Sequence, residues 1–376
     1  MSDKISTFFI SAGEPSGDIH AAKLVLSLKK ISPNIKFIGN GGDKMIEAGV
    51  HVKNHIDTMS VMGFVEVLKN YNRLSKILND TVSEIQISRP DKLLLIDYPG
   101  FNLRLVKKIK HLDIPITYFI LPQTWAWKEN RILFMKENIS DFISIFPFET
   151  NWYNSKGLKT YYPGHPFLDE DYKLDKDKIF LKKHNLKSDD SLLVLLPGSR
   201  QQEINNHWPT FLETIFLLKE KLPSLRFCLV KSNNVIIKNI PDFIIIESSV
   251  TNALKYGTAA ISSSGTVNLE CALAEIPTIV CYKTSYINWM IFKIFGKVNF
   301  ISIVNLISEE KIIPELIQSD MTSKKILPPL LEYLSPSSKK RKETIEKYKK
   351  IRTKLGSPGV FDRAAKHIIS EKDNEK

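Results

Sequence analysis

The chain has 376 residues with a hydrophobic content of 43% and a charged content of 25%, which excludes a disordered or fibrous protein. It is also longer than the roughly 250–300 residues that one hydrophobic core serves, so two folded domains are predicted. The formal net charge of +12, much of it after residue 339, favours anionic partners such as phosphates, anionic lipid or nucleic acid.

The cysteines and the lengths of the apolar runs indicate in which cellular compartment the protein is expected. The three cysteines are odd in number and lack metal-ligand spacing, which predicts reduced thiols in a cytosolic protein. The first residues do not have the layout of a signal peptide. No apolar run approaches the roughly 20 residues that a membrane-spanning helix needs, so any membrane contact is expected to be peripheral.

The first half of the sequence alternates short apolar runs with helical segments. The runs predicted as strands are 7–10, 36–39, 92–96, 116–120 and 142–145, the last of which is expected to end the first sheet. Helices are expected through Ala21–Leu28 and over 70–87, with loops at 11–18 and 39–42. This order predicts a parallel sheet with right-handed crossovers. The glycine-rich loop at 39–42 does not have the dinucleotide spacing, so NAD is not expected there.

Polar and aromatic residues follow two of these strands. Asp97 comes directly after the strand at 92–96, where an acid at the carboxyl edge of a parallel sheet is suited to chemistry; a helix cap is the ordinary alternative. Trp125 and Trp127 follow the next strand and either line a ligand or cap the core.

An apolar run at 61–68 has two interpretations. It contains Val61, Met62 and Phe64 beside a polar helical stretch. Core packing is the ordinary interpretation, and contact with acyl chains or a membrane surface is the alternative.

The second half repeats the alternation of strands and helices. Strands are predicted at 192–196, 226–230, 243–246, 259–261 and 278–281. A charged, unpatterned stretch from 169 to 190 separates the halves. We therefore predict an acceptor-side domain at 1–170, a second domain at 171–335, and a basic helical tail at 336–376 that packs back on the first domain.

The strand at 192–196 runs into a candidate anion loop. Gly198 allows close approach of the backbone, while Ser199, Arg200 and the following helix N-terminus offer donors and positive charge. A phosphate or diphosphate is the predicted ligand. Taken alone, an ordinary strand-turn-helix with a surface arginine is about as well supported.

A second loop makes the anion interpretation more specific. The strand at 259–261 runs into Ser264, Gly265 and Thr266, and Glu270 follows in the next helix. Amides at a helix start bind phosphate oxygens, and an ionised glutamate accepts hydrogen bonds from a ribose diol. The two loops together predict a nucleoside diphosphate site. The alternative for Glu270 is an acidic residue in the first turn of a helix, where the helix dipole favours negative charge.

The sequence resembles the lipid-A-disaccharide synthase family over nearly its whole length. The matching blocks occur in the order of the family: GEPSGD at 13–18, VMGFVEVL at 61–68, IDYPGFN at 96–102, WAW at 125–127, FPFE at 146–149, LPGSR at 196–200, SGTVNLE at 264–270, SIVNLI at 302–307 and PELIQ at 314–318. Gly100 departs from the family, which commonly has Asp there, and Gly42-Asp43-Lys44 stands where Gly-Pro-Arg is common.

The resemblance implies an α/β fold of the GT-B type, in which two Rossmann-like, doubly wound domains face each other across a cleft. It implies inverting transfer from UDP-2,3-diacylglucosamine to 2,3-diacylglucosamine 1-phosphate (lipid X). The products would be the β-1,6 lipid A disaccharide 1-phosphate and UDP. The reaction would take place at the cytoplasmic face of the inner membrane of a Gram-negative bacterium, with peripheral membrane contact and no nucleic acid; a homodimer is left open.

The resemblance also implies roles for individual residues. Asp97 is expected to be the catalytic base and Glu14 the second catalytic residue; His20 is more simply a packed or solvated side chain. Residues expected to bind the nucleotide sugar are Gly198, Ser199, Arg200, Glu203, Ser264, Gly265, Thr266, Glu270, Asn305 and Gln318. Residues expected to bind the acceptor or its acyl chains are Ser16, Asp18, Val61, Met62, Phe64, Trp125 and Trp127. No metal and no cofactor are expected.

Two other classes of function remain open from the sequence. One is another GT-B enzyme that uses a UDP-sugar, such as a peptidoglycan glycosyltransferase or a UDP-sugar epimerase. The other is a non-catalytic basic protein that docks on anionic membranes or nucleic acid through 339–354. Nucleic-acid binding would fall steeply with salt, whereas UDP binding would change little.

Overall fold

The computed structural model describes residues 6–59, 71–126, 128–170, 172, 178–232, 235–285, 289 and 299–374. The chain divides into two compact units. Unit 1 comprises Met1–Asp169 and Gly356–Lys376, and unit 2 comprises Glu170–Leu355. No helix among the described residues is long and apolar enough to cross a bilayer.

Unit 1 is built on a parallel sheet with the strand order β3-β2-β1-β4-β5-β6-β7. Its strands are β1 Thr7–Ser11, β2 Lys36–Gly41, β3 His51–His55, β4 Lys92–Ile96, β5 Ile116–Phe119, β6 Asp141–Ile143 and β7 Thr160–Tyr161. Its helices before residue 170 are α1 Pro15–Ile31, α2 Asp43–Glu47, α3 Ile56–Met59, α4 Tyr71–Ser88, α5 Pro99–Ile109, α6 Arg131–Asn138 and α7 Pro147–Ser155.

Strand β4 shows why the sheet is covered on both faces. All five of its residues are buried, as expected for a central strand of a parallel sheet. Leu93 and Leu95 pack in one core with Ile85 of α4 and Val106 of α5. Because side chains alternate along a strand, the residues between them point to the opposite face.

The predicted strands of the first half are confirmed, but three expectations about their ends are wrong. The loop expected at 11–18 is shorter, because α1 begins at Pro15, whose fixed φ suits the first helical position. The loop expected at 39–42 is also shorter: β2 continues to Gly41, since the Asn40 amide is buried and donates to Thr81 Oγ1 at 2.9 Å. The sheet does not end at β6, because β7 pairs with it in parallel.

Unit 2 has a second parallel sheet, with the order β10-β9-β8-β11-β12-β13. Its strands are β8 Leu192–Leu196, β9 Arg226–Val230, β10 Ile244–Glu247, β11 Ala259–Ser263, β12 Thr278–Tyr282 and β13 Glu315–Ile317. Its helices are α8 Lys178–Lys183, α9 Gln201–Lys221, α10 Val250–Tyr256, α11 Val267–Leu273, α12 Ile303–Ser308, α13 Ser323–Leu334 and α14 Lys339–Lys354. Leu193 and Leu195 pack in one core, and Leu192 and Val194 in another.

The basic tail expected at 336–376 is divided between the units. Helix α14 belongs to unit 2, where Tyr348 and Ile351 are buried. The last helix, α15 Val360–Asn374, belongs to unit 1 and packs against α1. The Asp169 carboxylate accepts hydrogen bonds from the backbone N–H groups of Val360 (3.1 Å) and Phe361 (3.2 Å), which fixes the start of α15.

Candidate functional site

The carboxyl edge of the unit 1 sheet gathers the polar residues that follow its central strands. Strands β1, β4, β5 and β6 are neighbours in the sheet, so the loops after them lie side by side at one edge. Glu14 follows β1, Asp97 follows β4, Trp125 follows β5 and Glu149 follows β6. The predicted residues Glu14, Asp97 and Trp125 are therefore brought to one edge.

The turn that carries Asp97 is strained. Asp97 and Tyr98 have φ values of 46° and 49°, in the left-handed region that costs an L-residue about 1–2 kcal/mol. The Asp97 carbonyl accepts hydrogen bonds from the Tyr118 hydroxyl (2.7 Å) and the Asn102 amide (2.8 Å), which hold this geometry. Backbone strain of this kind clusters at functional sites. The capping alternative does not apply, because Tyr98 and not Asp97 occupies the N-cap of α5.

Burial prepares the Asp97 carboxyl for proton transfer. Burial raises its pKa to about 6, against the opposing effect of the Tyr98 N–H. A base is most effective when its pKa lies near the working pH. Asp97 is therefore ionised at neutral pH and basic enough to accept a proton.

Glu149 is a fully buried carboxyl at this edge, and no role was predicted for it beyond its place in the block at 146–149. It is only 1% exposed, and Oε1 accepts a hydrogen bond from Trp125 Nε1 at 2.9 Å. Oε2 is buried without a hydrogen-bond partner among the described residues. Burial raises the pKa of Glu149 to about 8 despite the hydrogen bond from Trp125, and the negative charge of Asp97 contributes to this rise. Glu149 is thus mainly protonated at neutral pH.

Tyr98 links the loop after β4 to the loop after β1. Its hydroxyl donates to the Met59 carbonyl at 2.7 Å, and its ring lies directly over Gly13. Burial raises the pKa of Tyr98 to about 12, and the charge of Glu14 contributes. Gly13 is therefore required by the close approach of the ring, and Glu14 lies beside the Asp97–Tyr98 turn.

Two glycines at this edge predict opposite responses to alanine. A Cβ on Gly13 would lie 2.1 Å from a Tyr98 ring carbon, whereas a Cβ on Gly100 would meet nothing within 4 Å. Gly13→Ala should lower the free energy of unfolding by about 1–3 kcal/mol through overpacking. Gly100→Ala should raise it by about 0.5–1 kcal/mol, because Gly100 lies within α5. Urea denaturation of both variants checks this, and equal shifts would contradict it.

The other residues predicted on the acceptor side have different surroundings. Ser16 is exposed in the first turn of α1. Asp18 is buried, and its two oxygens accept hydrogen bonds from the backbone N–H groups of Gly42, Lys44 and Met45, so it caps α2. Trp125 is half-buried and packs edge-on against Phe148 at 5.0 Å between ring centroids. Val61, Met62, Phe64 and Trp127 lie outside the described residues.

His20 has the packed environment that the sequence favoured. Its ring lies 6.1 Å from the rings of Phe167 and Phe361. Burial lowers its pKa to about 4, and the charge of Lys23 contributes. The imidazole is therefore neutral at physiological pH.

In unit 2, the sheet brings the two predicted loops together. Strand β11 pairs directly with β8, with Ser262 opposite Leu196. The anion loop after β8 and the hydroxyl-rich loop after β11 therefore leave neighbouring strands at the same edge. Ser264 Oγ donates to the Ile301 carbonyl at 3.1 Å, while Gly265 and Thr266 are exposed.

Glu203 holds the anion loop in place. Its carboxylate accepts a hydrogen bond from the Ser199 N–H at 3.0 Å and contacts Arg200 Nη1 at 3.4 Å. Gly198 has a φ of 132°, and a Cβ there would lie 2.5 Å from the Glu203 side chain. Glu203 therefore occupies the donors that were predicted for a phosphate, while the Arg200 side chain remains 52% exposed.

His207, which no sequence pattern indicated as a functional residue, connects this loop to a third one. Its Nδ1 lies 2.7 Å from the Pro197 carbonyl, and its Nε2 accepts a hydrogen bond from the Lys283 N–H at 3.0 Å. This pattern requires a neutral ring with the proton on Nδ1, and burial lowers the pKa of His207 accordingly. Gln318 fixes the same loop, because its side chain bonds both backbone groups of Thr284 at 2.9 and 3.2 Å.

Glu270 lies in a setting that raises its proton affinity. The Tyr172 hydroxyl donates to Oε2 at 3.4 Å. Burial raises the pKa of Glu270 to about 7, and the negative charge of Glu170 contributes. The carboxylate is therefore a hydrogen-bond acceptor that is about half ionised near neutral pH.

Asn305 uses its amide within the protein. It is buried and donates to the Ile313 carbonyl at 3.0 Å and to Glu315 at 2.8 Å. Its oxygen accepts from the backbone N–H groups of Ile312 and Ile313. The side chain thus holds the loop before β13. Among the described residues, no three His, Cys, Asp or Glu side chains form a group that could hold a metal ion.

Comparison with known structures shows the fold. The S. aureus MnaA–UDP co-structure matches with a TM-score of 0.67 at 13% identity, covering 96% of this chain and 95% of that one. The UDP-GlcNAc 2-epimerase of Neisseria meningitidis bound to UDP-GlcNAc matches with a TM-score of 0.62 at 12% identity, covering 98% and 99%. The predicted α/β fold with two Rossmann-like domains of the GT-B type is confirmed.

Comparison of sequences shows the family. A family model described as lipid-A-disaccharide synthetase matches residues 8–365. The lipid-A-disaccharide synthase of Coxiella burnetii (strain CbuG_Q212) is 32% identical over 374 residues, which covers 98% of both chains. This chain therefore belongs to the lipid-A-disaccharide synthase family, whose members are glycosyltransferases.

Proposed function

We propose that this chain joins UDP-2,3-diacylglucosamine to 2,3-diacylglucosamine 1-phosphate (lipid X) with inversion, which gives the β-1,6 disaccharide 1-phosphate and UDP. The observation that carries the proposal is the half-buried Asp97 carboxyl, with its raised pKa, on a strained turn at the carboxyl edge of the unit 1 sheet. Family membership supports the same reaction.

Asp97 is the proposed base. The 6-hydroxyl of the acceptor attacks the anomeric carbon of the donor and gives its proton to the Asp97 carboxylate as the new bond forms. The Tyr118 and Asn102 hydrogen bonds to the Asp97 carbonyl keep the carboxylate oriented. Glu14, at the start of α1 beside this turn, is proposed to position the acceptor.

Unit 2 supplies the proposed leaving-group site. The diphosphate would displace the Glu203 carboxylate from the Ser199 N–H and from Arg200, and so take over donors already directed at an anion. Positive charge there stabilises the departing UDP as the sugar–oxygen bond breaks. Glu270, on the neighbouring loop, would accept hydrogen bonds from the ribose hydroxyls.

The proposed site of action is the cytoplasmic face of the inner membrane of a Gram-negative bacterium. Both substrates carry acyl chains that partition into a bilayer, so peripheral attachment would bring the enzyme to them. Exposed lysines of α14, such as Lys339, Lys342 and Lys350, support this. A basic residue near an anionic surface contributes about 1 kcal/mol to binding.

Product analysis distinguishes the proposed reaction from the two other classes of function that the sequence leaves open. The full chain is incubated with UDP-diacylglucosamine and the monosaccharide 1-phosphate, and the products are separated by chromatography and identified by mass spectrometry and NMR. The proposal predicts a disaccharide 1-phosphate and UDP in equal amounts. A UDP-sugar isomer of unchanged mass would indicate an epimerase, and the absence of both products would overturn the proposal.

The ribose assignment predicts a selective effect of Glu270. Glu270→Ala should raise the KM for the donor by about 10- to 100-fold, because hydrogen bonds to a charged acceptor contribute about 1.5–3 kcal/mol. For the wild type, this KM should rise as the pH falls through about 7, where Glu270 becomes protonated and loses acceptor capacity.

A modified nucleotide and a matched variant make that test specific. Glu270→Ala should weaken UDP binding strongly but 2′-deoxy-UDP binding only slightly. Glu213→Ala, an exposed glutamate on α9, should change neither. If Glu270→Ala weakened the binding of UDP and of 2′-deoxy-UDP equally, Glu270 would not be the residue that binds the ribose.

A further inference from the structure

His207 is a buried histidine of α9 that has no part in the mechanism above. The residue is 0% exposed. Its Nδ1 lies 2.7 Å from the Pro197 carbonyl oxygen, and its Nε2 lies 3.0 Å from the backbone nitrogen of Lys283. A carbonyl oxygen only accepts and a backbone N–H only donates, so the ring carries its proton on Nδ1 and accepts at Nε2. One neutral imidazole therefore links two loops.

The two linked loops lie on either side of the hydroxyl-rich loop at 264–266. In the unit 2 sheet, β11 stands between β8 and β12. Pro197 directly follows β8, and Lys283 directly follows β12. Loops that follow parallel strands leave the sheet at the same edge. His207 therefore joins the two loops that flank the loop after β11, and all three belong to the edge at which the diphosphate is proposed to bind.

Other side chains fix the loop after β12 at its remaining backbone groups. Asn206 Nδ2 donates to the Lys283 carbonyl at 3.1 Å. The Gln318 side chain accepts from the Thr284 N–H at 2.9 Å and donates to the Thr284 carbonyl at 3.2 Å. Together with His207, these bonds satisfy the N–H and the carbonyl of two successive residues. The loop is thus held by α9 and by the residue that follows β13.

On its other side, His207 holds the loop that is proposed to receive the diphosphate. The Pro197 carbonyl is part of the peptide unit that leads into Gly198, which has a φ of 132°. The next residue, Ser199, donates its N–H to Glu203 at 3.0 Å. Donors that are already in place bind an anion without the cost of ordering a loop. The bond from His207 to Pro197 therefore prepares the loop for the diphosphate.

We propose that His207 is a positioning residue for the donor, because it links Pro197 to Lys283 and so holds the anion loop and the loop after β12 at the separation at which the diphosphate binds. This inference rests on the proposed function, in which the anion loop receives the diphosphate. It requires both hydrogen bonds, since a link is lost when either half of it is broken.

Three substitutions of His207 in the full chain test the link. His207→Asn keeps a donor near the position of Nδ1 and removes the acceptor. His207→Gln keeps an acceptor near the position of Nε2 and removes the donor, and His207→Ala removes both. Ile215→Val is the matched control for lost stability, since Ile215 is buried in the core on the same helix and the change removes one methyl group.

We expect His207→Asn and His207→Gln each to weaken UDP binding by about 3- to 10-fold. His207→Ala should weaken it by a similar factor, because either half-link variant already separates the two loops. The KM for the donor should rise in proportion, and the KM for the acceptor should stay within about twofold. Ile215→Val should bind UDP as the wild type does. Titration calorimetry with UDP gives the affinities, and circular dichroism gives the folded fraction.

Wild-type UDP affinity in either His207→Asn or His207→Gln would overturn the inference, because one hydrogen bond would then suffice. So would an equal loss of affinity in Ile215→Val, or a loss of folded fraction with unchanged UDP affinity, since His207 would then only stabilise the fold. If the wild type neither binds UDP nor forms a disaccharide, the proposed function itself has failed.

Discussion

Asp97→Asn is expected to lower kcat by about 10²–10⁴-fold, the usual contribution of a positioned general base. Asparagine keeps the size of the side chain and tolerates the left-handed backbone that Asp97 adopts, so the turn should survive. Only the ability to accept a proton is removed. UDP affinity should be unchanged, because the proposed nucleotide site lies in unit 2.

The pH profile identifies the group that titrates. Burial raises the pKa of Asp97 to about 6, so the wild-type kcat should increase as the pH rises through 6 and the carboxylate forms. Asp97→Asn should lose this dependence. A stopped assay of disaccharide formation from pH 5 to 8 measures both effects.

Asp113→Asn is a matched control for this experiment. Asp113 also has a positive φ, of 50°, but it follows the far end of α5 and is exposed. Its substitution should leave kcat and the pH profile as in the wild type. Near-normal turnover by Asp97→Asn would remove Asp97 from the chemical step.

Arg200→Gln is expected to lower kcat by about 10²–10³-fold, the range found when one group that stabilises developing charge is lost. The diphosphate gains negative charge as the glycosidic bond to UDP breaks, and the exposed guanidinium of Arg200 is proposed to balance it. The KM for the donor should rise less than kcat falls, because the charge is largest in the transition state.

A lysine on α9 serves as the control that separates the role of Arg200 from the mere loss of one positive charge. Lys221→Gln removes one exposed positive charge from the end of α9 and should leave kcat unchanged. Steady-state kinetics with saturating acceptor give the comparison. If Arg200→Gln changed only the donor KM, Arg200 would be a binding residue without a role in bond cleavage.

The strands that sequence alone predicted best are those with continuous apolar runs. β4, β8 and β9 match their predicted bounds, because a strand buried on both faces leaves an unbroken run of apolar residues. β3, β7 and β13 were missed. β3 is a polar edge strand with only partial burial, β7 has two residues, and β13 has three partly buried residues at the edge of its sheet. Their structure comes from pairing with neighbours and leaves little pattern in the sequence.

At the candidate site, too, residues whose surroundings depend on distant parts of the chain could not be predicted. Asp97 and the loop at Arg200 were predictable because a polar residue after a buried strand lies at the carboxyl edge of a parallel sheet. Glu149 and His207 were not, since their settings depend on Trp125 and on Lys283, 24 and 76 residues away. Asp18 was assigned to the acceptor, but the structure shows its carboxylate occupied by backbone amides.

In the proposed reaction, a 6-hydroxyl deprotonated by Asp97 displaces UDP from the anomeric carbon with inversion. The most direct test is NMR of the purified product made by the full chain from the α-linked donor and the monosaccharide 1-phosphate. We expect one new glycosidic bond in the β configuration at O6, with one UDP released per disaccharide. An α linkage, a bond to another hydroxyl, or UDP release without disaccharide would contradict the account.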